Sequence, residues 1–562
     1  MACVEEGLVY VARDEAANVD LTYEELFERA RRNLMTHVRI SRDMLSERQR
    51  DDLLLRATSA KEVLRDFGAH LRSIEAGKDE YELSRSVSSI DEFLSHAWQT
   101  RRGMKTLTLL YYYNFLFANV AYTIASFLGF AVCYCVEESR KRTLAFRIVS
   151  PIVMLLLPAI VFGFALCYGM RLRCSPGPSV FLDKLCIHQT SEDLKVMGIK
   201  SLETYVRKSK RLILLYDSFT FERLWCTFET AMFAHDRCGD TTDFRFVPVT
   251  LAQFVVPLTI LFRICAYFGA MVLFFVGPLL SLRQPSEPFF RGITIHGLHS
   301  YGFLILLFAP MYGLVGCLLW RRNSDMSKLF KTLANFATEK TSCYNESDRE
   351  LVYERIRSTW GSLESFDNFV RKDISEAMAS TIGRCDAIPY DAVFSLSMPL
   401  LALGLCCGLN SPDYDISIYG IGSILNAFLA VTLSSNAWNV LGAVCYSKLS
   451  HRPALCIAAT TAFCLGSCVL HLYTHNSMWY IAWSLWVTYG CYGYSVAIFS
   501  LFTACEMAWL LRFHRMRSQV QQRHPRIWQR WDSAYFAFWV VLALGLLLRF
   551  NLMEAITGAI QV

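Results

Sequence analysis

Two long apolar tracts stand back to back early in the chain, from about Phe115 to Val136 and from about Phe146 to Tyr168. Each supplies the roughly 20 apolar residues that a helix needs to cross a ~30 Å hydrocarbon layer. The link between them, Glu137-Glu138-Ser139-Arg140-Lys141-Arg142, is short and charged, so the two spans form a hairpin. A hairpin returns the chain to the side it left. Any domain built from residues on both sides of this excursion therefore has to assemble in one compartment, and an odd number of spans would forbid it.

Composition agrees with a membrane protein. Hydrophobic residues make up 53% of the 562-residue chain and charged residues only 19%, against about 25% charge in ordinary soluble domains. Disorder, collagen and a secreted disulfide scaffold are excluded. The 20 cysteines lie mostly inside apolar runs without metal-site or knottin spacing, as small buried hydrophobes in a reducing compartment do. The N-terminal MACVEEGLVYVARDEAANVD has neither a basic nor an apolar leader segment, so no cleavable signal peptide is expected and the first span directs insertion.

The rest of the chain divides by periodicity. Residues 1–88 carry Leu, Phe and Val at three- and four-residue spacing among charges, which predicts amphipathic helices in a cytosolic N-terminal region. Residues 115–168 are the hairpin just described, and 252–320 hold a second one, with spans near 255–281 and 300–320. A helical cytosolic segment, 321–391, leads to a C-terminal bundle, 392–552, with about five spans near 392–410, 416–445, 453–472, 478–505 and 533–552. Placing the N-terminus in the cytosol puts Arg101-Arg102, Arg171 with Arg173, Arg321-Arg322, Lys448 with Arg452, and the basic run after Arg512 on the cytosolic side, as the positive-inside bias requires. The net charge of +6 thus reports orientation, and no nucleic-acid partner is expected. The sequon Asn345-Glu346-Ser347 falls on the cytosolic side.

Between the hairpins the pattern changes to that of an α/β domain. Ser89 to Trp98 reads as a short strand entering a polar turn, and Ser179 to Asp183 as a second strand. Arg211 to Tyr216 is a continuous apolar run, as central parallel strands are. Phe244 to Val249 is a fourth strand; helices are expected over 190–208 and after Ser218, which suits a cap. This alternation predicts a parallel sheet assembled from residues 89–114 and 171–250.

These residues resemble the TIR family. FLSHAW is similar to its first box and VFLDK to its acidic second-strand box, and the stretch from Ser209 through Glu229, with Trp225-Cys226-x-x-Glu229, is similar to its third. DKLCIHQ also resembles the related heterokaryon-incompatibility domains. The resemblance implies an α/β TIR-like, flavodoxin-like sheet beside an α-helical multi-pass region. It departs from the family in the inserted hairpin, in the loop after the second strand, and in a last helix and strand that are missing or merged into the span near 255. Many TIR domains cleave NAD+ at the nicotinamide–ribose bond, which by resemblance makes Glu229 the catalytic carboxylate, able to stabilise an oxocarbenium-like ribose. Ser95, His96, Trp98, Asp183 and Trp225 are then the substrate-binding candidates, with NAD+ a substrate and no cofactor. Four of these have a structural alternative: Asp183 capping its turn, Ser95 and His96 satisfying turn backbone, Glu229 a solvated charge. The family equally implies a non-enzymatic scaffold that associates with itself or with other TIR-like domains, in signalling or defence.

Other constellations are weaker. Cys186-x-His188, and Cys464, Cys468 and His471 on one helical face, offer too few ligands for zinc. A transporter or channel would show ionisable residues in mid-span. Arg263 and Glu506 are the candidates, and both are expected to snorkel at cytosolic ends. Tyr111-Tyr112-Tyr113, Trp479 and Trp483 suit interfacial belts in the lipid bilayer.

Overall fold

The computed structural model describes residues 55–72, 78–136, 143–175, 177–237, 243–281, 288–289, 293–343, 346–382, 390–410, 446 and 449–462. Most of the N-terminal region, the spans expected from 416 onward except for a helix at Pro453–Ala462, and with them Asn345, Cys464, Cys468, His471, Trp479, Trp483 and Glu506, lie outside these residues. The chain divides into one compact unit formed by residues to Pro278 and from Leu304 to Leu465, and a second formed by Leu279–Phe303 and Gly466–Val562. The described part of the second unit includes an antiparallel pair, Pro288–Phe289 with Ile293–Thr294.

The first unit is organised around a mixed six-stranded sheet: β1 (Arg56–Ser59), β2 (Arg85–Ser86), β3 (Ile90–His96), β4 (Ser179–Phe181), β5 (Ser209–Tyr216) and β6 (Phe244–Pro248), in the order β2-β1-β4-β3-β5-β6. The strands β4, β3, β5 and β6 run parallel, as the α/β alternation predicts. β1 and β2 are a correction to the helical reading of residues 1–88: Arg56–Ser59 pairs antiparallel with β4, and Arg85–Ser86 pairs with it in turn. The Leu53-Leu54-Leu55 run fits a helical face by spacing, but a free edge of β4 offers residues 56–59 backbone partners, and tertiary pairing overrides local preference.

The two strands that flank the hairpin are direct neighbours. Phe93 is in register with Phe181, and their rings stack with centroids 4.7 Å apart. Phe181 in turn meets Tyr205 at 4.5 Å. Asp91 locks the start of the pair by accepting from the backbone N–H and the hydroxyl of Ser179 at 2.9 and 2.8 Å. Lys210 donates to the same carboxylate and holds it down at about 2.

Between β3 and β4 the chain runs through α1 (Arg102–Tyr134), α2 (Leu144–Pro151), a π-helical turn at Ile152–Leu156, and α3 (Leu157–Leu172). Pro151 and Pro158 bracket the π turn, where their missing N–H groups loosen the regular ladder. Gly129 of α1 lies against this turn; a Cβ there would stand 2.7 Å from the Val153 carbonyl oxygen, so only glycine permits the approach. Leu116, Val120, Ile124, Leu128 and Val132 form an exposed apolar stripe at four-residue spacing. Among the described residues three helical stretches are long and apolar enough to cross a membrane: Arg102–Tyr134, Leu144–Leu172 and Val249–Val272.

After β4, the expected helix over 190–208 divides at Ser201 into α4 (Glu192–Lys200) and α5 (Leu202–Arg207). The helix after β5, α6 (Leu224–Asp236), starts at Arg223 and not at Ser218; a 3-10 turn at Thr220–Glu222 intervenes, in which Thr220 serves Asp217. β6 passes directly into α7 (Val249–Ser281). Residues alternate along β3, so Glu92 meets α1 on one face while Ser95 meets α6 on the other, where Phe93 stacks on Phe181.

Two expectations about spans are corrected here. Arg263 of α7 does not snorkel: it is 1% exposed, donates to Asn119 of α1 at 2.9 Å and to Ser395 at 3.1 Å, and lies over the rings of Tyr122 and Phe162. Neutral acceptors and ring faces hold it inside the bundle. Tyr112 and Tyr113 donate to Glu92 at 3.3 and 2.7 Å and thus belong to the sheet contact, not to a lipid interface.

The segment after α8 (Ile295–Ala334) has a structural role that its sequence did not disclose. Its helices α9 (Glu346–Trp360), α10 (Leu363–Phe369) and α11 (Ser375–Ile382), joined by a π turn at Val370–Ile374, pack against the sheet domain. Trp360 meets Phe228 and His235 of α6, and Ser342 exchanges backbone hydrogen bonds with Glu222 and Leu224 at 2.8 and 3.1 Å. Helix α12 (Tyr390–Asn410) follows and supplies Ser395.

The β3–β4 contact yields a direct test. Phe181→Ala should cost about 3–5 kcal/mol, read as a large drop in the melting temperature of the detergent-solubilised protein. The exposed Val196→Ala should change stability by no more than about 0.5 kcal/mol. Equal small effects would show that the stacked pair is not core.

Candidate functional site

Parallel α/β sheets bind ligands at the carboxyl ends of their strands, where neighbouring strands send their connections to opposite sides. Here that point lies between β3, whose connection leads to β4, and β5 on its other flank. The residues delivered there are Ser95 and His96 from the end of β3, Asp183 just beyond β4, Asp217 just beyond β5, Glu229 from α6, and Lys105 from the first turns of α1.

Ser95 Oγ–H donates to Glu229 Oε2 at 2.6 Å, joining residues 134 apart in sequence. Ser95 is 1% exposed, and Glu229, although part of its surface reaches solvent, is densely surrounded. Burial pushes its carboxyl up to about 8, against the stabilising Ser95 hydroxyl and with help from the Asp183 charge. At neutral pH the group is therefore mostly protonated in this closed arrangement.

Trp98 Nε1–H donates to Asp183 Oδ2 at 2.9 Å. The Lys184 N–H donates to Asp183 Oδ1 at 2.7 Å, so Asp183 caps the turn after its strand and also holds the indole. Burial raises the Asp183 carboxyl above its usual range despite both donors. The His96 ring stands edge-on to Trp98 with centroids 4.6 Å apart. Burial, with the Lys105 charge second, holds its imidazole well below the usual value, so it is neutral. Asp217 accepts from the Thr100 hydroxyl and from the Phe219 N–H, the latter at 3.0 Å, which fixes the turn after β5.

Five of the six residues singled out from sequence thus gather at one strand-end cluster: Ser95, His96, Trp98, Asp183 and Glu229. Trp225 does not join them. It lines a small groove with Leu202, Leu351 and Val352 and meets the ring edge of Phe228, because the cap formed by α9 covers that side of α6. Glu229 is not a solvated charge on an open helix face, since Ser95 and the sheet enclose it. Sequence reasoning missed Lys105, which is fully buried over the Trp98 ring with its Nζ 4.8 Å from the centroid. It sits in the basic stretch RRGMK that reads as a membrane-orienting loop. The available signal was position, a lysine in the first turns of the helix that follows the first strand. Among the described residues no group of three or more His, Cys, Asp or Glu side chains is placed to hold a metal; Cys186 is buried, and His188 accepts from the Ser191 N–H.

Comparison with protein-family models, with curated proteins and with solved structures finds no match to this chain.

The Glu229 environment sets a sign for pH dependence. A carboxyl whose folded value lies near 8, against 4.5 unfolded, binds its proton more tightly in the folded state. Stability then falls as pH rises from about 4.5 to about 8. Glu229→Gln removes this loss, so it should raise the melting temperature by a few degrees at pH 8 and by little at pH 4.5. A pH-independent difference would show that Glu229 does not carry the shifted proton.

Proposed function

We propose that this chain is a multi-pass membrane protein whose cytosolic α/β domain is TIR-like and cleaves NAD+ at the nicotinamide–ribose bond through Glu229, in signalling or defence. The observation that carries the reading is the 2.6 Å Ser95–Glu229 hydrogen bond at the strand-end switch point, with Trp98 and Asp183 beside it. A carboxylate at that point stabilises the positive charge that develops on ribose as nicotinamide leaves with the bonding electron pair. Water then adds to the anomeric carbon and gives up one proton, and the products are ADP-ribose, nicotinamide and H+. The leaving group is already cationic and needs no acid. Glu229 therefore acts as the carboxylate; the pyridinium charge of bound substrate favours that form, and the Ser95 hydroxyl orients it.

An even number of spans before β4 would keep both halves of the sheet on one side of the bilayer, and the bias of basic residues in the loops supports the cytosol as that side. The lipid-facing stripe on α1 and further copies of the same domain are the partners this reading implies. A non-enzymatic scaffold is the second reading. It is favoured by the closed state of the cluster, with Ser95 at 1% and His96 at 6% exposure.

Nicotinamide release from NAD+ by the purified full-length protein decides between them. The enzymatic reading expects release that rises with pH towards about 8, is abolished by Glu229→Ala, and is reduced about tenfold or more by Ser95→Ala. Absence of release from the wild type, with self-association unchanged in Glu229→Ala, would establish the scaffold reading instead.

A further inference from the structure

Two buried polar groups beside Trp98 are left out of the hydrogen-bond network. Lys105 is fully buried, and its Nζ has no hydrogen-bond partner among the described residues. The same holds for His96 Nε2, on a residue only 6% exposed. The His96 ring is neutral and bonds to the Leu94 backbone through its other side, so Nε2 is a lone-pair acceptor. The nearby carboxylates do not use the Lys105 ammonium. Asp183 is taken by Trp98 and the Lys184 N–H, and Asp217 by Thr100 and the Phe219 N–H. Buried polar groups without partners are costly, and each asks for a reason.

An unmet donor and an unmet acceptor flank a single indole. The hydroxyls of a ribose suit both, one accepting from the ammonium and one donating to the imidazole. A phosphate does not, since it cannot donate to Nε2 when ionised and the Asp183 and Asp217 carboxylates repel it. The indole adds an apolar platform suited to the carbon face of a sugar. Trp98 is only partly buried and its ring lies over Lys105, so its displacement is what would expose the pair.

We propose that Lys105 and His96 together form a hydroxyl-recognition subsite beside Trp98 that reads the ribose of the ligand bound at the Glu229 site. This rests on the assignment of a ribosyl ligand to that site, but not on cleavage of the ligand. Lys105 is the specificity-determining residue and Trp98 the cover. Recognition by a bonded hydroxyl implies rejection of analogues that lack it, because the group that would bond it then remains buried and unpaired.

The test uses the full-length protein in nanodiscs and measures binding of ADP-ribose and of its deoxyribosyl analogues. Wild type should bind ADP-ribose at least about tenfold more tightly than one of the deoxy analogues. Lys105→Met should lose that discrimination while keeping the wild-type melting profile, and Lys105→Arg should restore part of it. Equal binding of ribosyl and deoxyribosyl ligands by the wild type, or discrimination that survives Lys105→Met, overturns the proposal. So does a ligand-saturated structure in which a water alone bridges Lys105 and His96. The two levels separate cleanly. Nicotinamide release with an unchanged KM in Lys105→Met removes the subsite and leaves cleavage standing. Lys105-dependent ribose discrimination without nicotinamide release leaves the subsite standing and removes cleavage. No binding of ADP-ribose or NAD+ by the wild type removes both.

Discussion

The pairing of β3 with β4 is the constraint on which the rest of the molecule depends. The paired residues are 88 positions apart in the chain, Glu92 with Val180 and Phe93 with Phe181, in parallel register. Between them the chain makes two long apolar helices and returns. The stacked Phe93 and Phe181 rings and the Asp91–Ser179 bonds close the seam from its buried and its polar end. Once the seam is closed, the carboxyl ends of β3, β4 and β5 converge. Ser95, Asp183 and Asp217 are then brought together with Glu229 and Lys105 from two different helices.

The same helix links sheet and bundle. α1 begins with Lys105 under Trp98, places Tyr112 and Tyr113 on Glu92 of β3, and further along offers Asn119 to Arg263. One rigid element thus carries contacts to the strand-end cluster, to the opposite face of the sheet and to the interior of the apolar bundle. The buried Arg263 has neutral partners and aromatic faces in place of a carboxylate, an arrangement that fixes several helices on one cation.

Much of this was legible in the sequence where periodicity and hydropathy speak plainly. The hairpin, the four parallel strands and the gathering of Ser95, His96, Trp98, Asp183 and Glu229 follow from apolar runs and from short boxes in a fixed order. What stayed hidden depends on contacts distant in the chain. Arg56–Ser59 has a helical pattern and becomes a strand only because β4 has a free edge. Trp225 and Glu229 are one helical turn apart, yet α9 claims the first and Ser95 the second. Lys105 and Arg263 look like charges bound for water, and only the assembled helices show them enclosed.

The seam itself can be measured. Asp91→Cys and Ser179→Cys, with a protease site placed in the 137–142 link, report whether the two halves touch: the side chains at these positions are already in hydrogen-bond contact. Oxidation in native membranes followed by cleavage should leave the two fragments joined until reductant is added. Fragments that separate without reductant, with both cysteines reactive to a thiol probe from opposite sides of the membrane, would contradict the single sheet.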